Sequence, residues 1–297
     1  MLVTLSALWG SSFLAIKDVI EAIPPILSFG IRFMISGVVI LSVYLLRSRS
    51  GKRERIGKQQ WKDVLILSAY IIVGGQGLLV WGAQYLSSGM TALLNSTIPL
   101  WVALIAALIL REHMTKRMVF GLVAGFVGLV ILINPFIGND RKVNFVGLIS
   151  LTLSSIFWAV GSLYSTRSHN PVSILASAGM LMLLGGIMLT FISFIIGEFG
   201  NIQLSKILSS FPAYVYLIFL CTSLGYAEFF WLLRAESASI ANSFAYIVPV
   251  VALFLGWLIL KEPIYPQTIL ATCVIVIGVV LMVMKSSNKV KPNLMPK

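Results

Sequence analysis

Two charged residues lie well inside long apolar stretches of this 297-residue chain. Glu228 stands six residues before Arg234, and Arg32 stands seven residues after Pro25. A charge in the hydrocarbon of a membrane costs about 3 kcal/mol or more, so both residues are functional candidates. A carboxylic acid in that setting could carry a proton or balance a cationic solute. An arginine could hold a carboxylate or a phosphate with its planar fork of donors.

Both charges also have a structural interpretation. Leu224 and Trp231 share a helical face with Glu228 and would favour its neutral form, but the side chain could equally reach the membrane surface. Arg32 could bond carbonyls of a neighbouring helix or extend its charged head outward. The spacing places the two residues toward opposite membrane faces, so we do not expect a direct ion pair between them.

Two prolines inside apolar stretches mark predicted helix breaks. Pro99 and Pro249 each remove a helical N–H and leave the carbonyl four residues earlier without its partner. Such breaks are tolerated where the backbone faces protein or a wet cavity. Polar residues precede both prolines, and the predicted cavity-lining residues among them are Asn95, Asn242 and Tyr246. The alternative is that these side chains only form hydrogen bonds between helices.

Two tryptophans lie in the middle of apolar stretches, away from the membrane interfaces where tryptophan usually collects. Trp9 and Trp158 could form stacking walls of a cavity for apolar or cationic solutes, or they could be ordinary core residues. Gln76, in a glycine-rich stretch, is a further predicted cavity residue.

The composition predicts a membrane protein that is helical throughout. The mean hydropathy is +0.97 and only 11% of residues are charged, against about a quarter in soluble domains. A helix needs about 20 apolar residues to cross a bilayer. Ten stretches qualify, at about 2–20, 26–46, 63–82, 88–110, 117–134, 145–165, 172–196, 212–233, 238–260 and 266–284. Only short loops remain between them.

The net charge of +12 follows membrane topology and does not indicate a nucleic-acid partner. Seven of the 22 basic residues lie within 47–62, between the second and third predicted spans. With a cytoplasmic N-terminus, the inside segments hold 16 basic residues and the outside segments hold 5. This bias follows the positive-inside rule and predicts two cytoplasmic termini, with 285–297 as a cytoplasmic tail. Weak attraction to anionic lipids of the bilayer is a by-product.

Motifs for metal binding, cofactors and catalysis are missing from the sequence. Cys221 and Cys273 have no CxxC partner, and His113 and His169 stand alone in predicted loops. No HExxH, GxSxG or P-loop motif occurs. We therefore predict no catalytic site, no metal and no cofactor.

The pattern of residues 81–134 recurs without a gap at an offset of 150 residues. The matched pairs are Trp81 and Trp231, Pro99 and Pro249, Glu112 and Glu262, and Gly128 and Gly278. Residues 1–134 and 145–284 each contain five predicted spans. An odd number of spans per half predicts that the second repeat is inverted in the membrane. The two glutamates are expected to satisfy helix ends and nearby basic residues.

Together these features resemble a known family. A Trp-Gly-Ser-Ser stretch at Trp9–Ser12 precedes Arg32, Pro99 precedes an apolar run that ends in Glu112, and a glycine-bearing fifth helix follows. The set resembles the EamA-type permeases of the drug/metabolite transporter superfamily over nearly the whole chain. The resemblance implies ten transmembrane helices in two inverted five-helix repeats around a central cavity. It also implies secondary transport, often export, of amino acids, other metabolites or drug-like compounds.

The resulting prediction is a multi-pass plasma-membrane carrier for a small organic solute that works by alternating access. Protons are a predicted coupling partner, and the sequence leaves both a monomer and a homodimer open. The competing interpretations are a facilitative channel or structural membrane protein and, least favoured, an intramembrane enzyme. Saturable counterflow separates a carrier from the others.

Overall fold

The computed structural model describes residues 1–47, 56–109, 111, 114–133, 144–168, 173–235 and 244–283. Within these ranges the chain forms helices and turns and no β-strand, which confirms the predicted all-helical class. Two helical stretches contain π-helical segments, at Ser68–Gly77 and Leu217–Leu224. A short 3-10 helix covers Glu198–Asn201.

The α-helices run in the following order. In the first part of the chain they are α1 (Leu2–Ala22), α2 (Pro25–Arg47), α3 (Lys58–Leu67), α4 (Leu78–Ala83), α5 (Ser88–Asn95), α6 (Ile98–Ile109) and α7 (Lys116–Ile133). In the second they are α8 (Phe145–Ser165), α9 (Ile174–Ile195), α10 (Leu204–Tyr216), α11 (Gly225–Ala235), α12 (Phe244–Ile259) and α13 (Pro266–Val283).

Seven helical stretches in the described part of the chain are long and apolar enough to cross a membrane. They are Leu2–Ala22, Pro25–Arg47, Lys58–Ala83, Ser88–Ile109, Phe145–Ser165, Ile174–Ile195 and Ser205–Leu232. Ile247–Ile259 and Pro266–Leu281 are shorter apolar helices. The chain is thus a multi-pass membrane protein, while ten spans and inverted repeats stay predictions. The helix that contains the predicted span 63–82 begins five residues earlier, at Lys58. The helix that contains the predicted span 212–233 begins at Leu204, because in both cases the helix extends into polar sequence.

Two glutamate side chains cap the N-terminal ends of helices. The Glu262 carboxylate accepts hydrogen bonds from the Ser88 backbone N–H (2.9 Å) and the Ser88 hydroxyl (2.6 Å) at the start of α5. This contact confirms the predicted helix-end role of Glu262, whereas Glu112 lies outside the described residues. Glu198, which the sequence did not single out, accepts from the backbone N–H groups of Ile26 and Leu27 at the start of α2. A negative charge at a helix N-terminus satisfies free N–H groups and complements the helix dipole.

Glycines allow backbones to approach closely at two helix pairs. Along α2 and α9, a Cβ added to Gly37 would lie 2.5 Å from the Leu183 backbone nitrogen. Along α7 and α13, a Cβ on Gly278 would lie 2.6 Å from the Gly121 carbonyl oxygen and 2.7 Å from the Gly125 nitrogen. The glycines of the predicted fifth span therefore pack against another helix of the same chain. Small residues have this role in membrane bundles, because lipid supplies no hydrophobic driving force between helices.

The two predicted proline breaks differ. α5 ends at Asn95 and α6 begins at Ile98, so the chain breaks just before Pro99. At this break the Ser96 and Thr97 hydroxyls donate to the carbonyls of Leu93 (2.6 Å) and Leu94 (2.7 Å), which satisfies groups that an uninterrupted helix would pair. Pro249, in contrast, lies within α12, which continues without interruption to Ile259. The predicted break at Pro249 is therefore not seen.

The α7–α13 contact yields a stability prediction. Gly278→Ala places a methyl group against two backbone atoms that cannot rotate away, so we expect the helices to separate and the protein to lose about 1–3 kcal/mol. The measurement is the melting midpoint in detergent. Gly200→Ala is the matched control, since nothing lies within 4 Å of a Cβ built there. Equal melting of both variants would contradict this packing.

Candidate binding cavity

A small cavity lies in the interior of the bundle, where residues from both ends of the sequence meet. Its volume is ≈ 40 Å³, room for about three water molecules. Five of the predicted site residues line it, namely Trp9, Arg32, Gln76, Asn95 and Trp158. The other lining residues are Ser12, Phe13, Ile16, Leu79, Ile98, Tyr226, Phe244 and Val248.

Trp9 of α1 lies at the centre of an aromatic cluster beside the cavity. Its ring centroid is 4.6 Å from that of Phe244, 5.4 Å from that of Tyr226 and 6.1 Å from that of Trp158. The Phe244 and Trp158 contacts are edge-to-face, the favoured geometry for aromatic pairs. The indole N–H of Trp9 donates to the Cys221 carbonyl (2.9 Å), in the second π-helical segment. Trp9 of α1 thus contacts residues of α8, α11 and α12.

Each central tryptophan lies against a glycine near a π-helical segment. A Cβ added to Gly225 would lie 2.6 Å from the Trp9 Nε1 atom, and one added to Gly75 would lie 3.3 Å from the Trp158 Cε3 atom. Neither glycine can be enlarged without moving a ring or a backbone. A π-helical segment inside an α-helix often marks a functional site, because it shifts the register of the residues around it.

Arg32 of α2 is buried, with 3% of its surface exposed. Its Nε–H donates to the Thr222 hydroxyl, and the Thr222 hydroxyl donates to the Leu217 carbonyl (2.7 Å). The guanidinium carbon lies 4.7 Å from the centre of the Phe29 ring and 5.5 Å from that of Phe33. Cation–π contacts of this kind offset part of the cost of burying the charge.

Several donors at the cavity have no hydrogen-bond partner among the described residues. They are Nη1 of Arg32, the indole N–H of Trp158 and the hydroxyl of Tyr226. All three side chains are at least nine-tenths buried. Buried polar groups are normally paired, so such groups gathered at one cavity call for a functional explanation.

Glu228 lies apart from the cavity, near the start of α1. The Thr4 hydroxyl lies 3.0 Å and 3.1 Å from its two carboxylate oxygens and can donate to them. The expected apolar neighbours Leu224 and Trp231 are each 45% exposed. The described hydrogen-bond partner of this carboxylate is therefore a hydroxyl group, while its expected apolar neighbours lie at the surface of the bundle.

The remaining predicted residues fall outside this geometry. Asn242 lies outside the described residues, and of Tyr246 only the place in α12 is described. Pro99 adjoins the cavity residue Ile98, whereas Pro249 follows the cavity residue Val248 within a continuous helix.

Sequence reasoning did not single out several residues at the cavity or at Glu228, among them two aromatic residues and a threonine. Tyr226 and Phe244 line the cavity, and Thr4 contacts Glu228. Tyr226 lies two residues before Glu228, and one tyrosine in an apolar stretch gives no distinct signal. Phe244 lies two residues before Tyr246, and a phenylalanine in an apolar stretch is typical of core packing as much as of a cavity wall. Thr4 carried no signal, because its partner is 224 residues away in the chain.

Comparison with known proteins gives a consistent result. A model of the EamA-like transporter family matches residues 1–134 and 145–284. The "Uncharacterized inner membrane transporter YedA" of Escherichia coli (strain K12) is 31% identical over 280 residues, which cover 94% of this chain and 88% of that protein. The "Uncharacterized transporter YoaV" of Bacillus subtilis (strain 168) is 28% identical over 281 residues, 94% of each chain.

A crystal structure with 18% sequence identity covers 95% of both chains with a TM-score of 0.69, which shows a shared fold. Protein PecM of Dickeya dadantii (strain 3937) is 25% identical over 256 residues, which cover 86% of this chain and 81% of that protein. The family match extends over both halves of the chain, and two described regions on either side of 134–143 supply the cavity. The chain belongs to the EamA-like transporter family.

Proposed function

We propose that this protein is a secondary transporter that exports a small organic solute across the cell membrane by alternating access. The observation that carries the proposal is the cavity, whose walls come from residues before 134 and after 145 alike. A site held between two halves can face either side of the membrane as the halves rock against each other. The relatives named as transporters support the same function.

Reciprocal contacts support two related halves, with 1–134 and 145–284 as the units. Trp9 of the first half packs on Gly225 of the second, and Trp158 of the second packs on Gly75 of the first. The two glycines are 150 residues apart and the two tryptophans 149 apart. Helix packing shows the same exchange between the halves. α2 packs on α9, and α7 packs on α13. α1 packs on α12, and in the corresponding way α8 packs on α5 and α6. A two-fold relation between inverted five-helix repeats produces such exchanged pairs.

The size of the cavity supports a contracted state of the site, too small for a whole solute. A volume of ≈ 40 Å³ is far below the roughly 300–1,000 Å³ of pockets that enclose drug-sized ligands. A whole solute therefore enters only when the halves move apart. Because the tryptophan–glycine contacts join the halves, movement at these contacts opens the site.

The basic residues support an orientation with both termini in the cytoplasm, since 16 of them fall on that side and 5 on the other. We expect single cysteines replacing Lys52 and Ser287 to be shielded from an impermeant thiol reagent in intact cells, and one replacing Asn139 to react. The background carries Cys221→Ser and Cys273→Ala. Reaction of all three positions from outside would refute the orientation.

Counterflow in proteoliposomes tests the transport function. Solutes that raise the melting midpoint, drawn from amino acids, amines, nucleosides and sugar phosphates, are loaded inside, and entry of labelled solute is measured. We expect saturable counterflow. Gly225→Ala should slow it about fivefold or more, because the added methyl group displaces Trp9 and breaks its hydrogen bond to Cys221.

Gly57→Ala is the control for this variant, since the nearest atom to a Cβ built there is 3.9 Å away. Flux that rises linearly with concentration, without counterflow, would contradict the carrier and favour a channel.

Proton coupling is the second part of the proposal, with Glu228 as the proton-binding group. The Thr4 contact joins this acid to the start of α1, the helix that also carries Trp9. A proton that neutralises the carboxylate weakens a charge-assisted hydrogen bond between α1 and α11. Protonation is thereby linked to the packing of a helix that lines the cavity.

Glu228→Gln preserves the shape of the side chain and mimics its protonated form. We expect this variant to exchange solute for solute but to lose accumulation driven by a pH gradient, measured in the same proteoliposomes. Thr4→Val retains the acid but removes the contact that joins it to α1, so it should weaken the coupling as well. Glu21→Gln is the control, because it removes a largely exposed acid outside the cavity and coupling should persist. Full pH-driven accumulation by Glu228→Gln would exclude this residue as the proton carrier.

A further inference from the structure

We infer that the cavity binds the carboxylate of a monoanionic solute with an aromatic body, and that Arg32 is the residue that binds this carboxylate. The inference rests on the proposed transport function and specifies the class of solute. It follows from the charge of the cavity, from the donors that lack partners, and from the walls.

The charge of the cavity is the first argument. Arg32 is the one cationic side chain among the described lining residues, and no acid is among them. No described carboxylate forms a salt bridge with it. Its described hydrogen-bond and ring partners are a hydroxyl group and two phenyl rings, and none of them is a counter-ion for the positive charge. A buried charge is stable when it is paired, so an anion that enters this cavity removes a cost already present in the empty protein.

The unpaired donors supply the second argument. Nη1 of Arg32, Nε1 of Trp158 and the Tyr226 hydroxyl have no hydrogen-bond partner within the described ranges, and all belong to residues that line the same cavity. A carboxylate has two oxygens that accept about four hydrogen bonds, which matches three donors and leaves room for an amide from Gln76 or Asn95. A neutral amide or a hydroxyl group offers fewer acceptor sites and no charge.

Charge balance selects a monoanion. One guanidinium group neutralises one negative charge, so a bound carboxylate leaves the site neutral. A phosphate dianion would leave one uncompensated negative charge in apolar surroundings. An amino acid would bring an ammonium group, and the described lining residues offer no carboxylate to receive it.

The walls indicate the rest of the solute. Phe13, Trp9 and Phe244 line the cavity beside the donors, and these rings present flat apolar faces and edges. A volume of ≈ 40 Å³ accommodates a group of about the size of a carboxylate, while the body of the solute requires the rings to move apart. A planar aromatic body restores the ring contacts that this movement breaks.

A structural role for Arg32 makes a different prediction. The Nε–H bond to Thr222 joins α2 to the second π-helical segment, and the Ser36 hydroxyl, which donates to the Ile218 carbonyl (3.0 Å), joins the same two elements. If Arg32 served only this joint, its replacement would lower stability without changing which solutes bind. The test therefore separates binding from stability.

The experiment measures binding to the purified full-length protein in detergent, by calorimetric titration and by the shift in melting midpoint. The probes share one ring and differ in the attached group: benzoate, benzamide, phenyl phosphate, phenylalanine and phenethylamine. We expect benzoate to bind at least about tenfold more tightly than each of the others. Equal or tighter binding of benzamide, phenyl phosphate, phenylalanine or phenethylamine would overturn the inference.

Variants assign the effect to Arg32. Arg32→Gln removes the charge and should weaken benzoate binding at least about tenfold while benzamide binding stays unchanged. Arg32→Lys retains the charge without the planar fork, should give a smaller loss, and keeps the test available if Arg32→Gln does not fold. Lys206→Gln removes a half-exposed cation outside the cavity and should leave benzoate binding unchanged. The assignment would be overturned if the wild type, Arg32→Lys and Arg32→Gln all bound benzoate with equal affinity.

Because these are binding measurements, their outcome is independent of the transport assay. Benzoate binding that depends on Arg32, without counterflow, would support this inference and refute the proposed transporter. Counterflow of other solutes without benzoate binding would refute this inference and support the proposed transporter.

Discussion

Hydrocarbon offers no hydrogen-bond partner, and this constraint governs how the chain places its polar groups. Each polar group within the bundle must be paired inside the protein or remain unpaired at a cost of several kcal/mol. Serine and threonine hydroxyls meet the constraint by donating to nearby helix carbonyls, as Ser68 does to Val64 (2.8 Å). Glu262 and Glu198 meet it by accepting hydrogen bonds at the N-terminal ends of helices from other parts of the chain. The unpaired donors described above lie where the helices leave a cavity.

The same constraint explains why the glycines lie at contacts between helices. With no water to expel, the energy of helix association comes from close packing, and a missing side chain lets two backbones approach. Gly37 serves α2 and α9 in this way, and Gly278 serves α7 and α13. Gly75 and Gly225 have a different partner, because each receives the ring of a central tryptophan. Packing and cavity thus depend on glycines at repeat-related positions.

The two intramembrane charged residues are not repeated between the halves of the sequence. Glu228 corresponds to Leu78 in the repeat, and the arginine of α2 has no basic counterpart in α9. The apolar framework is thus shared by both halves, whereas the two groups proposed to handle charge occur once each. An asymmetric solute or a proton needs only one such group. Single charged residues in a sequence with a repeated apolar pattern are therefore consistent with the proposed carrier, which binds one solute between its halves.

Much of this arrangement could be predicted from sequence, because in a membrane the apolar pattern itself specifies the helices. The cavity residues Trp9, Asn95 and Trp158 were identifiable since large polar or aromatic side chains are unusual in mid-span. The π-helical segments could not be predicted, because they depend on packing against other helices rather than on local propensity. The continuous helix through Pro249 and the partner of Glu228 also escaped prediction, since tertiary contacts decide both.

Alternating exposure of the central cavity is the claim on which the account depends most. Ser12 lines the cavity, and its hydroxyl donates to the Trp9 carbonyl (2.7 Å), so Ser12→Cys changes little in shape. In the Cys221→Ser, Cys273→Ala background, an impermeant thiol reagent is applied to either face of oriented vesicles. We expect reaction from both faces, with one rate rising and the other falling when a solute gradient is imposed. Reaction from one face only, or two rates that change together, would contradict it.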